Sequence, residues 1–234
     1  MYWQFNDVWQ APTWSTIEFM SSNGINMGGK WKLGHYYIKN AYENVILQPV
    51  LKDNLLKIYA NSDLKESFKS SFTLKLFSFD NFTEKISQSF SFSVDPFSMS
   101  LAAIYKFDFD SVGCNKKSCV IDIESNDPSF KSRNFAFLDH RIDLKNLTKP
   151  PRIEFVINDT STPGLFSIQL KSTSIAFFVY LDMSTTDFYG TFSENGFHMT
   201  RHEYEVFYKT GGLKVTVESL NEHLNVQSLA DIYF

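Results

Sequence analysis

The feature that most constrains the fold is an apolar alternation of period two, which recurs in short runs from about residue 49 to the end of the chain. Such runs are typical of half-buried antiparallel strands, because successive side chains of a strand point to opposite faces. The clearest are residues 55–60, Phe72/Leu74/Leu76, Phe90/Phe92/Val94, Tyr105/Phe107/Phe109, Ile121/Ile123, Ile153/Phe155/Ile157, Phe166/Ile168/Leu170, Phe177/Val179/Leu181, Tyr204/Val206/Tyr208 and Leu213/Val215/Val217. Residues 144–151, with Pro150 and Pro151, predict a linker. The pattern predicts two seven-strand immunoglobulin-like sandwiches, at residues 49–146 and 147–234.

Aromatic content supports the same fold. The 234 residues include 24 Phe, and aromatic residues make up 17% of the chain. Large rings suit the space between two packed sheets. The sequence therefore predicts a mainly β protein whose cores are rich in phenylalanine.

The first 48 residues have a different pattern. Residues 2–5 predict a short buried strand, and a loop with Pro12 and a small polar cluster at residues 21–24 follows. Apolar residues then recur at helical spacing from Lys30 to Tyr42. Strand, loop and helix form half of an α/β unit, which cannot close a sheet alone. We therefore expect a partial (β/α) barrel unit at residues 1–48.

Charge and hydropathy disfavour several partners. The net charge is -4, and no basic stripe is present, so nucleic acid is not an expected partner. No stretch of about 18 apolar residues occurs, so no membrane span is expected. The start at Met1 has no basic segment, apolar run or small-residue cleavage site, and predicts no signal peptide.

The two cysteines leave two alternatives open. Cys114 and Cys119 could close a small disulfide loop, or remain free thiols, which is the default in a reducing compartment. Zinc is not expected, because no second cysteine pair exists and His140 is the only histidine nearby. No metal or cofactor is predicted.

Two segments carry a resemblance to a known family. The first is YWQFNDVWQAPTW at residues 2–14, continued by GGKWKLGHYY at residues 28–37. The second is GTFSENGF at residues 190–197, with the ending SLADIY at residues 228–233. They resemble, in order, the last strand-and-helix unit of the barrel and the closing immunoglobulin-like domain of β-mannosidases of glycoside hydrolase family two. Residues 58–64 and 114–120 also resemble animal, lysosomal-type members.

This resemblance implies a retaining glycosidase that removes terminal non-reducing β-D-mannose from glycoprotein oligosaccharides. Such an enzyme needs two carboxyl groups about 5–5.5 Å apart. In the family both lie on barrel strands upstream of the matched segment, so no catalytic residue is assigned here. The chain alone is expected to be inactive, and to take a β-mannoside oligosaccharide only with that upstream barrel. Residues 19–27 look like an insertion relative to the family.

The resemblance also gives roles to individual residues. It places Trp3 at the C-terminal end of the last barrel strand, where active sites of this fold are built, as an aromatic platform for mannose. The alternative role for Trp3 is packing in the barrel core. A lysosomal parent implies that Cys114 and Cys119 are bridged.

Three further motifs have simpler explanations. Glu194 lies in a sequence like that around a family nucleophile, but Asn195-Gly196 predicts a hairpin turn with an exposed acid. Asn81, Asn146 and Asn158 lie in glycosylation sequons, of which about three would arise by chance here. The second hypothesis for the whole chain is a stand-alone, non-catalytic immunoglobulin-like interaction module or pseudoenzyme.

Overall fold

The computed structural model describes residues 4–7, 15–22, 25–139, 144, 150–185, 187–211 and 214–233, with side chains from Lys30 onward. Trp3 and Asn146 lie outside the described residues. The chain forms two compact units, one made of Met1–Lys39 and Pro150–Phe234, the other of Asn40–Lys149. The division into domains at residues 48 and 146 stays a prediction.

The N-terminal segment contains a three-stranded sheet rather than one strand and a loop. Strand β1 is Gln4–Asp7, β2 is Ser15–Ser22 and β3 is Ile25–Trp31. β1 is parallel to β2, and β2 pairs with β3 in antiparallel register. Ser21 and Ser22, which were expected in a loop, lie in β2, whereas residues 23 and 24 lie outside the described residues. The missed signal is the Asn23-Gly24 dipeptide between two runs of strand-forming residues, which is typical of a hairpin.

Helix α1 spans Leu33–Ala41 and buries Tyr36. It begins three positions later than expected, because Lys30 and Trp31 pair with β2 as the end of β3. The expected insertion at residues 19–27 lies within this hairpin.

In the part of residues 40–149 that the structure describes, seven strands form a sandwich. They are β4 (Val45–Lys52), β5 (Leu55–Ser62), β6 (Phe68–Ser78), β7 (Glu84–Val94), β8 (Ser98–Lys106), β9 (Cys119–Ser125) and β10 (Arg133–Phe137). One sheet has the order β4-β5-β8 and the other the order β10-β9-β6-β7. Phe72, Phe92 and Phe107 are buried in one continuous core together with leucines and isoleucines of both sheets. The core therefore contains the aromatic rings expected from composition.

The described residues of the second sandwich also form seven strands. They are β11 (Ile153–Asp159), β12 (Leu165–Ser172), β13 (Ala176–Met183), β14 (Gly190–Phe192), β15 (Phe197–Met199), β16 (Glu203–Thr210) and β17 (Leu224–Gln227). One sheet has the order β11-β12-β16-β14, and β13 pairs with β15 and β17 in the other. The predicted fold class, mainly β with two immunoglobulin-like sandwiches, is confirmed.

The strand predicted at Leu213/Val215/Val217 was wrong. Leu213 lies outside the described residues, Val215 is irregular, and helix α2 spans Val217–His223. Thr216 caps this helix: its side chain accepts a hydrogen bond from the Ser219 N–H at 3.2 Å. A threonine cap with an acid in the first turn stabilises a helix start, and this outweighs the alternation of the preceding valines.

Candidate functional site

The predicted site residues do not come together in one place. Trp3 and Asn146 lie outside the described residues, so their surroundings are not part of the geometry below. Asn81 and the two cysteines belong to the unit of residues 40–149, and Asn158 belongs to the other unit. Each is therefore considered by its own contacts.

Cys114 and Cys119 form a disulfide, with their Cα atoms 6.1 Å apart. The bridge closes a tight loop that contains a 3₁₀ turn at Lys116–Ser118, which the Asn115 side chain caps by accepting from the Lys117 N–H at 3.0 Å. Both cysteines are buried in the core of the sandwich. The bridge therefore holds a surface loop to the start of β9, which is a structural role.

The two described sequon asparagines are both exposed. Asn81 lies in the connection between β6 and β7, where its Oδ1 accepts a hydrogen bond from the Thr83 N–H at 2.9 Å. Asn158 lies on β11, and the hydroxyl of Thr160 in its sequon donates to the Leu165 carbonyl at 2.7 Å. A glycan on either asparagine would extend into solvent and require no repacking.

The segment Ser193–Gly196 does not form a hairpin, contrary to expectation. β14 before it pairs with β16, whereas β15 after it pairs with β13 in the other sheet. The segment is thus a crossing from one sheet to the other. Asn195 stabilises it: the buried amide accepts from the Leu181 N–H and donates to the Leu181 carbonyl, both at 2.8 Å.

Glu194 is half-buried rather than exposed as expected, and it accepts a hydrogen bond from the Tyr204 hydroxyl at 2.7 Å. Phe197 and Tyr204 stack beside it, with ring centroids 4.4 Å apart. The carboxylate therefore has a structural partner inside the sandwich. This environment explains the acid without a catalytic role.

The same crossing binds helix α1, and we call this contact the helix-docking site. It consists of Tyr36, Tyr37 and Lys39 on the helix and residues 192–196 of the sandwich. The Tyr36 hydroxyl accepts from the Phe192 N–H at 3.3 Å, and the Tyr37 hydroxyl donates to the Gly196 carbonyl at 2.6 Å. The Lys39 ammonium donates to the Ser193 carbonyl at 3.2 Å. The helix thus satisfies backbone groups that the crossing leaves outside both sheets.

Burial governs the protonation of the docking tyrosines. It raises the pKa of Tyr36 to about 12, and the hydrogen bond from the Phe192 N–H opposes part of this shift. Burial likewise raises the pKa of Tyr37 to about 12, and the nearby Glu194 carboxylate adds to the shift. Both hydroxyls remain protonated near neutral pH, as the donor role of Tyr37 requires.

Beside the helix-docking site lies a small pocket, and an ion pair between Lys30 and Asp182 lies at its wall. Trp31, Tyr36 and Tyr208 also line it. Its volume of about 20 Å³ fits a water molecule, which needs ~10–15 Å³, and is too small for a sugar ring. The ion pair therefore ties the end of β3 to β13, and it does not form a sugar site.

Two other functions lack support in the structure. Among residues with described side chains, no group of three His, Cys, Asp or Glu residues is positioned to hold a metal ion. Neither of the two α-helices in the described ranges has both the length and the apolar character that a membrane crossing needs.

Sequence reasoning missed the residues of the helix-docking site. Tyr36 and Phe192 are 156 positions apart, and no local pattern links them. A signal was nevertheless present, because the two segments that carried the family resemblance, residues 28–37 and 190–197, are the two that meet here.

Comparison with known proteins agrees with this architecture. Residues 148–232 match a family model described as the Ig-fold domain Ig_mannosidase. Over 100% of its length the chain is 29% identical to a β-mannosidase from Capra hircus and 27% identical to one from Mus musculus. It covers 26% of each relative, so it spans about a quarter of their length.

A solved structure extends the likeness to the fold. A β-D-mannosidase from Dictyoglomus thermophilum superposes with a TM-score of 0.73 at 14% identity, covering 97% of this chain and 26% of that one. At this identity the superposition shows a shared fold alone. The resemblance predicted from the sequence motifs is confirmed over the whole chain by the mammalian relatives.

Proposed function

The chain is related along its whole length to β-mannosidases, and we propose that it forms part of a retaining glycoside hydrolase that removes terminal β-D-mannose from glycoprotein oligosaccharides. The whole-chain match is the observation that carries this proposal. In such an enzyme residues 1–48 complete a barrel, and residues 49–146 and 147–234 are supporting sandwiches. A lysosomal parent fits the mammalian relatives.

The contribution of this chain to catalysis would be support and positioning. Retaining hydrolysis needs a nucleophile and an acid/base about 5–5.5 Å apart, and we propose that a preceding barrel segment supplies both. The helix-docking site anchors α1 to a sandwich through hydroxyl, amide and carbonyl groups. It would hold the last barrel unit, and with it Trp3, against a rigid support.

Trp3 is the residue we propose to contact substrate. An indole face stacks on the apolar C–H face of a sugar, and its electron-rich ring favours the positive charge that develops at the reacting carbon. The loss of roughly 2 kcal/mol of this interaction would lower kcat/KM about thirty-fold.

A chimera tests the proposal. The segment of the Capra hircus relative that aligns with this chain would be replaced by this chain, and release of 4-nitrophenol from its β-mannoside would be measured. We expect the chimera to be active, the isolated chain to be inactive, and Trp3→Ala in the chimera to lower kcat/KM with an unchanged melting temperature. Trp3→Phe should lose much less activity.

Three outcomes would contradict the proposal, the first two for the reaction and the third for the role of Trp3. Turnover by the isolated chain that survives repurification would show that a carboxyl pair lies within it. A chimera that melts cooperatively but hydrolyses no β-mannoside would oppose the assignment to this reaction. An Ala variant with normal kcat/KM and a lowered melting temperature would give Trp3 a packing role.

A non-catalytic interaction module remains the second candidate. It is favoured by one observation: each sandwich has a buried core, formed by residues between Val45 and Leu138 in the first and by residues between Ile157 and Leu224 together with Tyr36 of helix α1 in the second. The inactive isolated chain is common to both candidates, and the chimera distinguishes them.

A further inference from the structure

The outward face of the β4-β5-β8 sheet is unusually apolar. We call it the apolar sheet face; its apolar side chains are Val50, Leu55, Tyr59, Met99, Leu101 and Ile104, with Phe97 in the turn before β8, and the polar Gln48, Lys57 and Asn61 lie among them. Of the twelve large hydrophobic side chains that are exposed among the described residues, six belong to this face, and their exposed fractions run from 36% to 67%. Scattered exposed apolar side chains are ordinary, but a contiguous group of this kind marks an interaction site.

The sandwich does not need these side chains for its own core. The alternate positions of the same strands, such as Leu47, Ile58 and Ala103, already face inward and are buried. The outward face of the opposite sheet is polar: Thr73 pairs with Ser89, and Lys75 forms an ion pair with Glu84 at 2.6 Å. The two outward faces of this sandwich therefore differ: one is polar, as is usual for a sheet that faces solvent, and the other is rich in apolar side chains. The difference indicates that a partner covers the apolar sheet face.

Phe97 adds a second indication. Its φ is +49°, and its side chain is 67% exposed. A bulky residue with positive φ is strained, and such strain is found at functional positions more often than elsewhere. A hydrogen bond from its N–H to the Leu64 carbonyl, at 3.2 Å, holds this conformation. This strained conformation costs stability, and it leaves the aromatic ring of Phe97 exposed beside the first residue of β8.

The two ends of the apolar sheet face carry opposite charge. At one end are Lys52 and Lys106, opposed by Asp53 in the β4–β5 turn, and Lys57 lies one row further in, between Val50 and Ile104. Lys116 and Lys117 balance Asp108 and Asp110 in the chain that follows β8. At the other end are Asp63, Glu66 and Asp95, opposed by Lys65. The first end is net positive and the second net negative.

We propose that the apolar sheet face binds a second copy of this chain across a two-fold axis. Charge decides the orientation: with the axis perpendicular to the strands, the lysine end of each copy meets the acidic end of its partner. An axis parallel to the strands would bring lysine to lysine. The contact is isologous, so each charge pair occurs twice, and packed sheets align within about 30° in such contacts.

The size of the face sets the strength of the dimer. Strands of eight residues rise about 3.4 Å per residue, and three strands about 4.8 Å apart give a face of roughly 400 Å² per copy. A standard interface buries about 800 Å² per partner, so a face of half that area gives a weak dimer. This inference does not depend on the glycosidase proposal.

Sedimentation velocity of the full chain from about 2 to 200 µM tests it. We expect a monomer–dimer equilibrium, which Leu101→Lys abolishes because the change brings two lysines together near the axis. Ser91→Lys is the matched control, since it adds the same charge to an exposed strand position on the opposite, polar sheet. It should leave the equilibrium unchanged, and circular dichroism should show that both variants fold.

A charge exchange separates this contact from unspecific association. Lys106→Glu and Asp95→Lys should each raise the Kd several-fold at low salt, and the double variant should recover the parent value. A monomer at every concentration would overturn the proposal and leave the face to a different partner. Association that survives Leu101→Lys, or single charge variants that the double variant does not rescue, would overturn it as well.

Discussion

Replacing Arg133 tests how the first sandwich tolerates charge. Arg133 and Asp122 form a bidentate pair, with nitrogen–oxygen distances of 3.1 and 2.7 Å, and their side chains are only 14% and 1% exposed. Breaking such a buried pair from one side costs about 3–5 kcal/mol, because a charge is left without its partner. Lys75 lies opposite Asp122 in the neighbouring strand, but it already forms an ion pair with Glu84 and so offsets little of this cost. We therefore expect Arg133→Leu to cost about 3–5 kcal/mol.

The assay is urea unfolding read by hydrogen-exchange mass spectrometry, on peptides that cover β9 and β10 for this pair and β12 and β16 for the control. The control is Lys171→Met, which breaks the Lys171–Glu203 pair, whose side chains are 55% and 66% exposed. Exposed pairs contribute ~0–1 kcal/mol, so the control should change the free energy of unfolding little. Combining Arg133→Leu with Asp122→Leu should restore most of the loss, since no buried charge remains. A loss below 1 kcal/mol for Arg133→Leu, or equal effects in the two pairs, would refute the reasoning.

Three further predictions concern single sites. Tyr36→Phe should cost about 0.5–1.5 kcal/mol, because the Phe192 N–H loses its acceptor. Burial raises the pKa of Tyr36 to about 12, so the protonated hydroxyl contributes stability that is fully present below pH 10 and is lost as the pH rises towards 12. The Tyr36→Phe variant lacks this group, so its free energy of unfolding should fall less over that pH range than that of the parent. The Cys114–Cys119 bridge should appear in non-reducing peptide maps of secreted protein, and two alkylatable thiols there would contradict it. Asn81→Gln and Asn158→Gln should each remove one glycan from secreted protein, as intact mass would show, and an unchanged mass would exclude that asparagine as an acceptor.

The strands of both sandwiches could be predicted from the sequence because period-two alternation is local information. Leu74 and Leu76 alternate with Thr73 and Lys75, and the structure buries the two leucines completely. Errors occurred where a short polar signal decides the conformation. Strands β2 and β3 pair on either side of Asn23-Gly24, where the pattern predicts a loop, and Thr216 caps a helix in a run that alternates like a strand.

The helix-docking site could not be predicted from local patterns. Its hydrogen bonds join residues 154–159 positions apart, and they depend on how a chain crossing presents backbone groups. Asn195-Gly196 shows the limit clearly. The dipeptide correctly indicates a change of chain direction, but β14 and β15 belong to different sheets, so the turn is a crossing and not a hairpin.

Gly196 has a backbone and packing role that explains the presence of a sequence resembling a nucleophile motif. Its φ is +71°, a conformation that glycine adopts without the steric cost of a Cβ. A Cβ there would also overlap the Leu33 side chain at the start of α1. Its carbonyl accepts from Tyr37, and its N–H donates to the Val179 carbonyl at 2.9 Å. One glycine thus allows the chain to change sheets and the helix to approach, which accounts for the motif without assigning any chemistry to the acid beside it.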